Sequence, residues 1–246
     1  MSDSDVTEDW LLNEQVRLFQ PKKGYRAGLD AILLASSLDG RPGEHFLELG
    51  CGAGGALFPS AHRLLEARFT GVERLPLMVA LAKRGIEANR FSDRVNVVEG
   101  DISQLPKDWE NSFDQVFSNP PYFEPGRIQA PHEGRSHAYM ADVSLADWLK
   151  AMLHAAKPKG RITIIHRGGA LGDILSYLMS RTGQIEVYPI RSAPGEAAKR
   201  VIVTARKGLR RGDIVLHDGM NMYPSRGTTT YTDEAKRILN GGPLNW

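Results

Sequence analysis

The run Asn119-Pro120-Pro121-Tyr122-Phe123 sets a carboxamide, a rigid turn and aromatic rings side by side. Two consecutive prolines hold φ near −65° and turn the residue before them away from helix, so the Asn side chain sits at a sharp, extended bend. A planar amine is a poor nucleophile because its lone pair is delocalised into the π system. If the Asn119 carboxamide oxygen and the Pro120 carbonyl accept its two N–H bonds, the nitrogen can pyramidalise and aim its lone pair at an electrophilic methyl. Preorganised dipoles then stabilise the charge that develops on it. Tyr122 can stack on the planar group, a contact worth roughly 1–3 kcal/mol per base. Asn119, Pro120 and Tyr122 are therefore the candidate catalytic residues, with Pro121 and Phe123 on the substrate side.

Such a bend needs a strand to carry it. Phe113 to Ser118 alternates apolar and polar residues, which places the turn at a strand's carboxyl end, where open α/β sheets bind ligands. Upstream, the apolar strand Phe46-Leu47-Glu48-Leu49 runs into Gly50-Cys51-Gly52-Ala53-Gly54-Gly55, and Ala56 to Leu65 continues with helix-compatible spacing. Glycines there allow positive φ and close approach of a ligand to the backbone. Glu73 ends the strand Arg68 to Val72, about 20 residues beyond the glycines, where an acid reaches ribose hydroxyls in a Rossmann-like site. Asp101 follows the strand Val95 to Val98 and could accept a bond from an adenine amino group, although an acid at that place also reads as a helix cap. Three such features in register with the Asn-Pro-Pro-Tyr turn are hard to explain separately.

Together, Gly50 to Gly54, Glu73, Asp101 and Asn119 to Tyr122 resemble a class I S-adenosylmethionine-dependent methyltransferase acting on an amino or amide nitrogen. The stretches Leu18-Phe19-Gln20-Pro21 and Gly24 to Leu34 are similar to the bacterial tRNA(Val) adenine N6-methyltransferase family, and the likeness runs from about Leu18 onward. The resemblance implies a Rossmann-like α/β fold with a mostly parallel seven-stranded sheet and helices on both faces. It implies S-adenosylmethionine as cofactor, held by Glu48, Gly50, Gly52, Gly54, Glu73, Asp101 and Asn119, and a target adenine in tRNA flipped into the pocket. In such enzymes the segment from Lys22 to Asp30 covers the methionine end of the cofactor, so Arg26 and Asp30 are expected contacts. Asp30 to Ala35 also reads as an ordinary capped helix. The same turn serves methylation of a glutamine amide or of DNA adenine in relatives that carry an added domain, and a non-catalytic activator subunit is a further alternative.

The chain of 246 residues, 41% hydrophobic, can form one α/β domain with a sizeable core. Residues 18–246 read as that domain, with a short C-terminal extension, and residues 1–17 as a flexible segment. No apolar run reaches the roughly 18–20 residues that span a bilayer, and the acidic start Met1 to Trp10 lacks the basic-then-apolar order of a secretory signal. The single Cys51 makes no internal disulfide and suits a reducing, cytoplasmic setting. The histidines lack zinc-type spacing, so no metal is expected.

Alternating strand-like and helix-like segments argue for a parallel sheet covered on both faces. Helices are expected over Leu145 to Ala156 and Ala170 to Met179, with strands over Arg161 to His166, Ile185 to Ile190 and Arg200 to Ala205. The tail from Ile214 to Gly219 reads as a short hairpin followed by a terminal helix. Glu124 to Ala141 is a long polar stretch containing Arg135, of the kind that is functional or mobile. Net charge is only +2, yet Lys199, Arg200, Arg206, Lys207, Arg210 and Arg211 crowd around the last strand. Phosphate contacts could use such a cluster, with Lys199, Arg200 and Arg135 as substrate-binding candidates.

Overall fold

A computed structural model describes residues 5–24, 26–122 and 143–246. The chain opens with β1 (Val6–Leu11) and β2 (Val16–Pro21), then α1 (Leu29–Ser37), β3 (His45–Leu49), α2 (Leu57–Arg63), β4 (Arg68–Glu73), α3 (Pro76–Ala88), β5 (Val95–Glu99) and β6 (Phe113–Ser118). It continues with α4 (Leu145–Ala155), β7 (Ala156–Arg167), α5 (Leu171–Leu178), β8 (Thr182–Arg191), β9 (Ala198–Lys207), β10 (Val215–Leu216), β11 (Met220–Asn221) and α6 (Asp233–Leu239). The expected seven long strands form the main sheet, in the order β8-β9-β7-β6-β3-β4-β5, with the two-residue strands β10 and β11 added along β8. Neighbouring long strands are parallel except where β9 meets β7 and β8.

Alternation along the strands sorts side chains to two cores. Phe46 and Phe117 point to the face packed by α1, α2 and α3, while Leu47, Leu49 and Val116 point to the face packed by α4 and α5. Burial on both faces is why these strands read as nearly continuous apolar runs. Helix α4 starts on a capping box in which the Ser144 side chain accepts from the Asp147 backbone and Asp147 answers the Ser144 backbone. Strand β7 is longer than expected: Lys157 to Gly160 forms a bulge, with Phe113 opposite Ala156 and Gln115 already opposite Arg161.

Two expectations give way to the structure. Residues 1–17 were expected to be loose, but β1 pairs antiparallel with β2 from Val6↔Pro21 to Leu11↔Val16. Val16 and Leu18 are fully buried and Phe19 nearly so, so the hairpin is anchored by core contacts that the acidic composition of the N-terminus conceals. The tail is not a hairpin either, since β10 and β11 each run parallel to β8. Gly219, at φ +73°, turns between them so close to the Pro189 carbonyl that a Cβ would collide with it. The expected terminal helix is α6.

Candidate active site

Four adjacent parallel strands, β5, β4, β3 and β6, end at one edge of the sheet. Their last residues are in register: Leu49 lies opposite both Val72 and Ser118, and Glu73 lies opposite Glu99. Gly50, Glu73, Asp101 and Asn119 consequently emerge side by side from strand ends that are far apart in sequence. Ser118 Oγ donates to the Leu49 carbonyl at 2.8 Å, tying the strand that carries Asn119 to the one that feeds the glycine loop.

The loop after β3 is bent by its glycines. Gly50 has φ +67°, and a Cβ there would lie 2.5 Å from the Trp148 ring of α4, so the turn is possible only without a side chain. Gly52 has φ +55° and open space where a Cβ would be, leaving its backbone accessible to a ligand. Its N–H donates to Glu73 Oε2 at 3.0 Å, and Glu73 Oε1 accepts from the Leu75 N–H at 2.8 Å. Glu73 thus stands between the loop and the start of α3 with both oxygens oriented by backbone donors.

A cavity opens beside this loop, lined by Gln20, Ala31, Glu48, Gly52, Met78 and Asn119 among others. Glu48 is 3% exposed, and its Oε2 has no hydrogen-bond partner among the described residues. Burial, reinforced by the charge of Glu73, raises its pKa well above the ordinary carboxylate value. The same burial and the same two carboxylates raise the Cys51 thiol, which makes it an unreactive filler of the loop. Asp101 caps a short 3₁₀ turn: Oδ1 accepts from the backbone and hydroxyl of Ser103, both at 2.8 Å, and Arg74 lies 3.7 Å from Oδ2. Burial works to raise its pKa, but the Ser103 bonds and Arg74 outweigh it and the net shift is downward.

Asn119 is half-buried at the cavity, Pro120 is buried, and Pro121 and Tyr122 are half-buried. The phenol of Tyr122 donates to Asp30 Oδ2 at 2.7 Å, and Arg200 Nε donates to that same oxygen at 2.7 Å. The Arg200 guanidinium lies over the Tyr122 ring, 4.9 Å from its centroid. The His166 ring also meets it, edge to face, with centroids 4.8 Å apart and planes at 63°. His166 is 4% exposed, and burial, followed by the charge of Arg167, lowers its pKa to about 4, so it is neutral beside the tyrosine.

Several expected site residues take other partners. Arg26 donates to Asp9 at 2.7 Å, to Thr7 at 2.8 Å and to the Pro21 carbonyl at 3.1 Å, so its guanidinium serves the N-terminal hairpin. Asp30 lies in the first turn of α1 but makes no cap; it faces Tyr122 and Arg200. The basic cluster is divided. Arg200 pairs with Arg167 at the site edge, whereas Arg206 pairs with Arg161 near the far end of β9, roughly 20 Å away by strand rise. Lys199 is exposed at the site edge, and Arg191, at the end of β8, joins it there. Phe123 and Arg135 lie outside the described residues.

Gln20 belongs to the site without having been expected there as a site residue. Its side chain is 4% exposed, donates to Asp9 at 3.0 Å and accepts from the Ala27 N–H at 2.6 Å, which fixes the segment crossing the glycine loop. A Cβ on Gly55 would lie 2.3 Å from the Ala27 methyl, a measure of how closely that segment approaches. A wider concavity, about 300 Å³, lies among Trp10, Arg17, His62 and Asn89 to Phe91. It is formed at the opposite end of α3 and shares no residue with the strand-end site.

The methyltransferase-domain family matches residues 41–182, which contain the glycine loop, Glu73, Asp101 and the Asn-Pro-Pro-Tyr turn. A structure from Agrobacterium tumefaciens, described as a predicted O-methyltransferase, superposes with a TM-score of 0.72 over 88% of this chain and 98% of its own, at 29% identity. The tRNA1(Val) (adenine(37)-N6)-methyltransferase of Haemophilus influenzae is 26% identical over 85% of the chain and 91% of its own length. The protein of the same name from Actinobacillus pleuropneumoniae serotype 7 is 30% identical over 85% of the chain and 90% of its own length. With the fold and the strand-end residues in agreement, the chain belongs to the tRNA1(Val) (adenine(37)-N6)-methyltransferase family of methyltransferase-domain proteins.

Proposed function

We propose that the protein transfers a methyl group from S-adenosylmethionine to the N6 amine of an adenine in tRNA. The observation that carries this reading is Asn119, which leaves the end of β6 to line the same cavity as the glycine loop, with Pro120, Pro121 and Tyr122 following it in the chain. The site suits the cofactor on its own chemistry. The buried Glu48 carboxyl, whose Oε2 has no partner among the described residues, would be drawn to its ionised form by a cationic group placed beside it, Gly52 gives backbone access, Glu73 can accept from ribose hydroxyls, and Asp101 from an adenine amine. When bound, the cofactor supplies an electrophilic methyl on a sulfonium. The protein's own residues prepare the acceptor: Asn119 and the Pro120 carbonyl take the two N–H bonds of the amine, Tyr122 stacks on the base, and Pro121 stiffens the turn between them. Positioning supplies most of the rate, and no strong base is needed.

Two other acceptors are weaker fits. The Agrobacterium tumefaciens structure is described as a predicted O-methyltransferase. A hydroxyl has one proton to give, however, and two acceptors at the turn match an amine that has two. A glutamine amide would satisfy the turn equally well. The relatives' names and the cations Lys199 and Arg191 at the site edge favour RNA. The same reading places the protein in the cytoplasm. No helix among the described residues is long and apolar enough to cross a membrane, and no described cluster of His, Cys, Asp or Glu could hold a metal ion.

The test is nucleoside mass spectrometry of tRNA from a strain lacking this protein, before and after incubation with the purified enzyme and S-adenosylmethionine. New N6-methyladenosine, mapped by fragment analysis to a valine tRNA, is the expected result. Methylated glutamine in a protein fraction, with no change in tRNA, would overturn the adenine reading.

A further inference from the structure

Two prolines fix the backbone at the Asn119 to Tyr122 turn, but they do not fix the Tyr122 ring, which retains two side-chain torsions. A stacking surface that must find its orientation on each binding event spends ordering entropy that a held ring does not. Asp30, Arg200 and His166 bear on that ring. Its hydroxyl donates to Asp30 Oδ2 at 2.7 Å, the Arg200 guanidinium lies 4.9 Å from its centroid, and the His166 ring meets it at 4.8 Å. Arg200 and Asp30 are in turn bound to each other at 2.7 Å, so tip and guanidinium share one oxygen.

The elements behind these residues are themselves anchored. Asp30 lies in the first turn of α1, whose Leu33 and Leu34 are fully buried. At its other end α1 is held by the C-terminal tail, with Leu244 N–H donating to the Ser36 carbonyl at 2.7 Å and Trp246 Nε1 to the Ser37 carbonyl at 3.1 Å. Arg200 sits in β9, a strand paired on both sides. Asp30 and Arg200 thus hold the ring from two independently fixed parts of the fold.

We propose that Asp30 and Arg200 are positioning residues that clamp the Tyr122 ring as the surface on which the target base stacks. The clamp rests on the adenine-pocket reading for its purpose, though not for its existence. It assigns Asp30 to the acceptor side of the site and removes Arg200 from the pool of cations available to RNA phosphates. Neither residue reacts; each acts through Tyr122.

Four variants test this: Asp30→Ala, Asp30→Asn, Arg200→Gln and Tyr122→Phe. With saturating cofactor and tRNA, Asp30→Ala and Arg200→Gln should lower the single-turnover rate by about 10- to 100-fold, while S-adenosylmethionine affinity by calorimetry stays within about twofold of wild type. Asp30→Asn keeps an acceptor for the phenol and should recover part of the rate. It also serves if the alanine variant folds poorly. Tyr122→Phe added to Asp30→Ala should cost little further, what remains being the loss of the hydroxyl's own hydrogen bond to Arg200. A direct reading comes from NMR of protein labelled in its tyrosine rings, without substrate: Tyr122 should broaden or flip faster in Asp30→Ala. If the Tyr122 signal and the rate are both unchanged, or if Asp30→Ala loses cofactor affinity yet keeps its full saturated rate, the clamp is wrong. Should the wild type methylate no RNA, the adenine reading fails, and the NMR measurement still decides the clamp.

Discussion

Asn119 and Tyr122 are three residues apart, yet they are held by different means. Asn119 owes its position to the end of β6 and to the prolines that follow, all local in sequence, whereas Tyr122 is fixed by partners 92 and 44 residues away in Asp30 and His166. This difference decides what could be read without a structure. The positions of the Asn-Pro-Pro-Tyr turn, the glycine loop and Glu73 were legible because they are written in short runs at strand ends. The bond between Asp30 and Arg200 was not legible, because an ion pair spanning 170 residues leaves no local signal. The expected role of Asn119 has a kinetic signature. Replacing it with alanine removes an acceptor needed mainly as the amine pyramidalises, so turnover should fall by about 10²-fold or more with cofactor affinity nearly intact. Single-turnover rates equal to wild type at saturating substrate would remove Asn119 from that role.

At the scale of elements, the central sheet was legible from alternation of strand and helix, because buried parallel strands and amphipathic helices differ in both length and period. The N-terminal hairpin was not, since Val6 to Leu11 carries Glu8 and Asp9 among its apolar residues and its partner strand begins only at Val16. Its consequence is functional. Asp9 collects Arg26, Gln20 and Thr7, and Gln20 passes that support to the Ala27 N–H above the glycine loop. Gln20→Ala deletes an acceptor for a close backbone donor, a loss of about 0.5–1.5 kcal/mol for an ordinary hydrogen bond. If the hairpin serves the cofactor pocket, S-adenosylmethionine should bind roughly two- to tenfold more weakly in a folded Gln20→Ala protein. Calorimetry showing wild-type affinity would confine the hairpin to a structural role.

Across the whole molecule, acid stability gathers several buried groups whose signs can be set against one another. His166 has a folded pKa of about 4 against an ordinary value of 6.5. Above pH 6.5 it is neutral in both states and contributes no slope. As the pH falls from 6.5 towards 4, the unfolded chain takes up a proton that the folded protein refuses, so stability declines, by roughly 3 kcal/mol for a shift of this size. His45 and His62, also lowered by burial, push in the same direction. Glu48 opposes them. Its raised pKa means the folded state binds the proton first, so its contribution grows as the pH falls towards its ordinary value and is lost as the pH rises through the folded one. Asp101 and Asp114, lowered by their partners despite burial, matter only below about pH 4, where the unfolded chain begins to protonate them. Among the described residues, the window between pH 6.5 and 4 is therefore governed by His166, His45 and His62 against Glu48, and His166 has the largest resolved shift of these histidines. His166→Gln, whatever it does to absolute stability by disturbing the contact with Tyr122, should flatten the decline across this window. Urea denaturation of both proteins at a series of pH values measures it, and parallel slopes would show that the buried histidine is not what the fold loses stability to in acid.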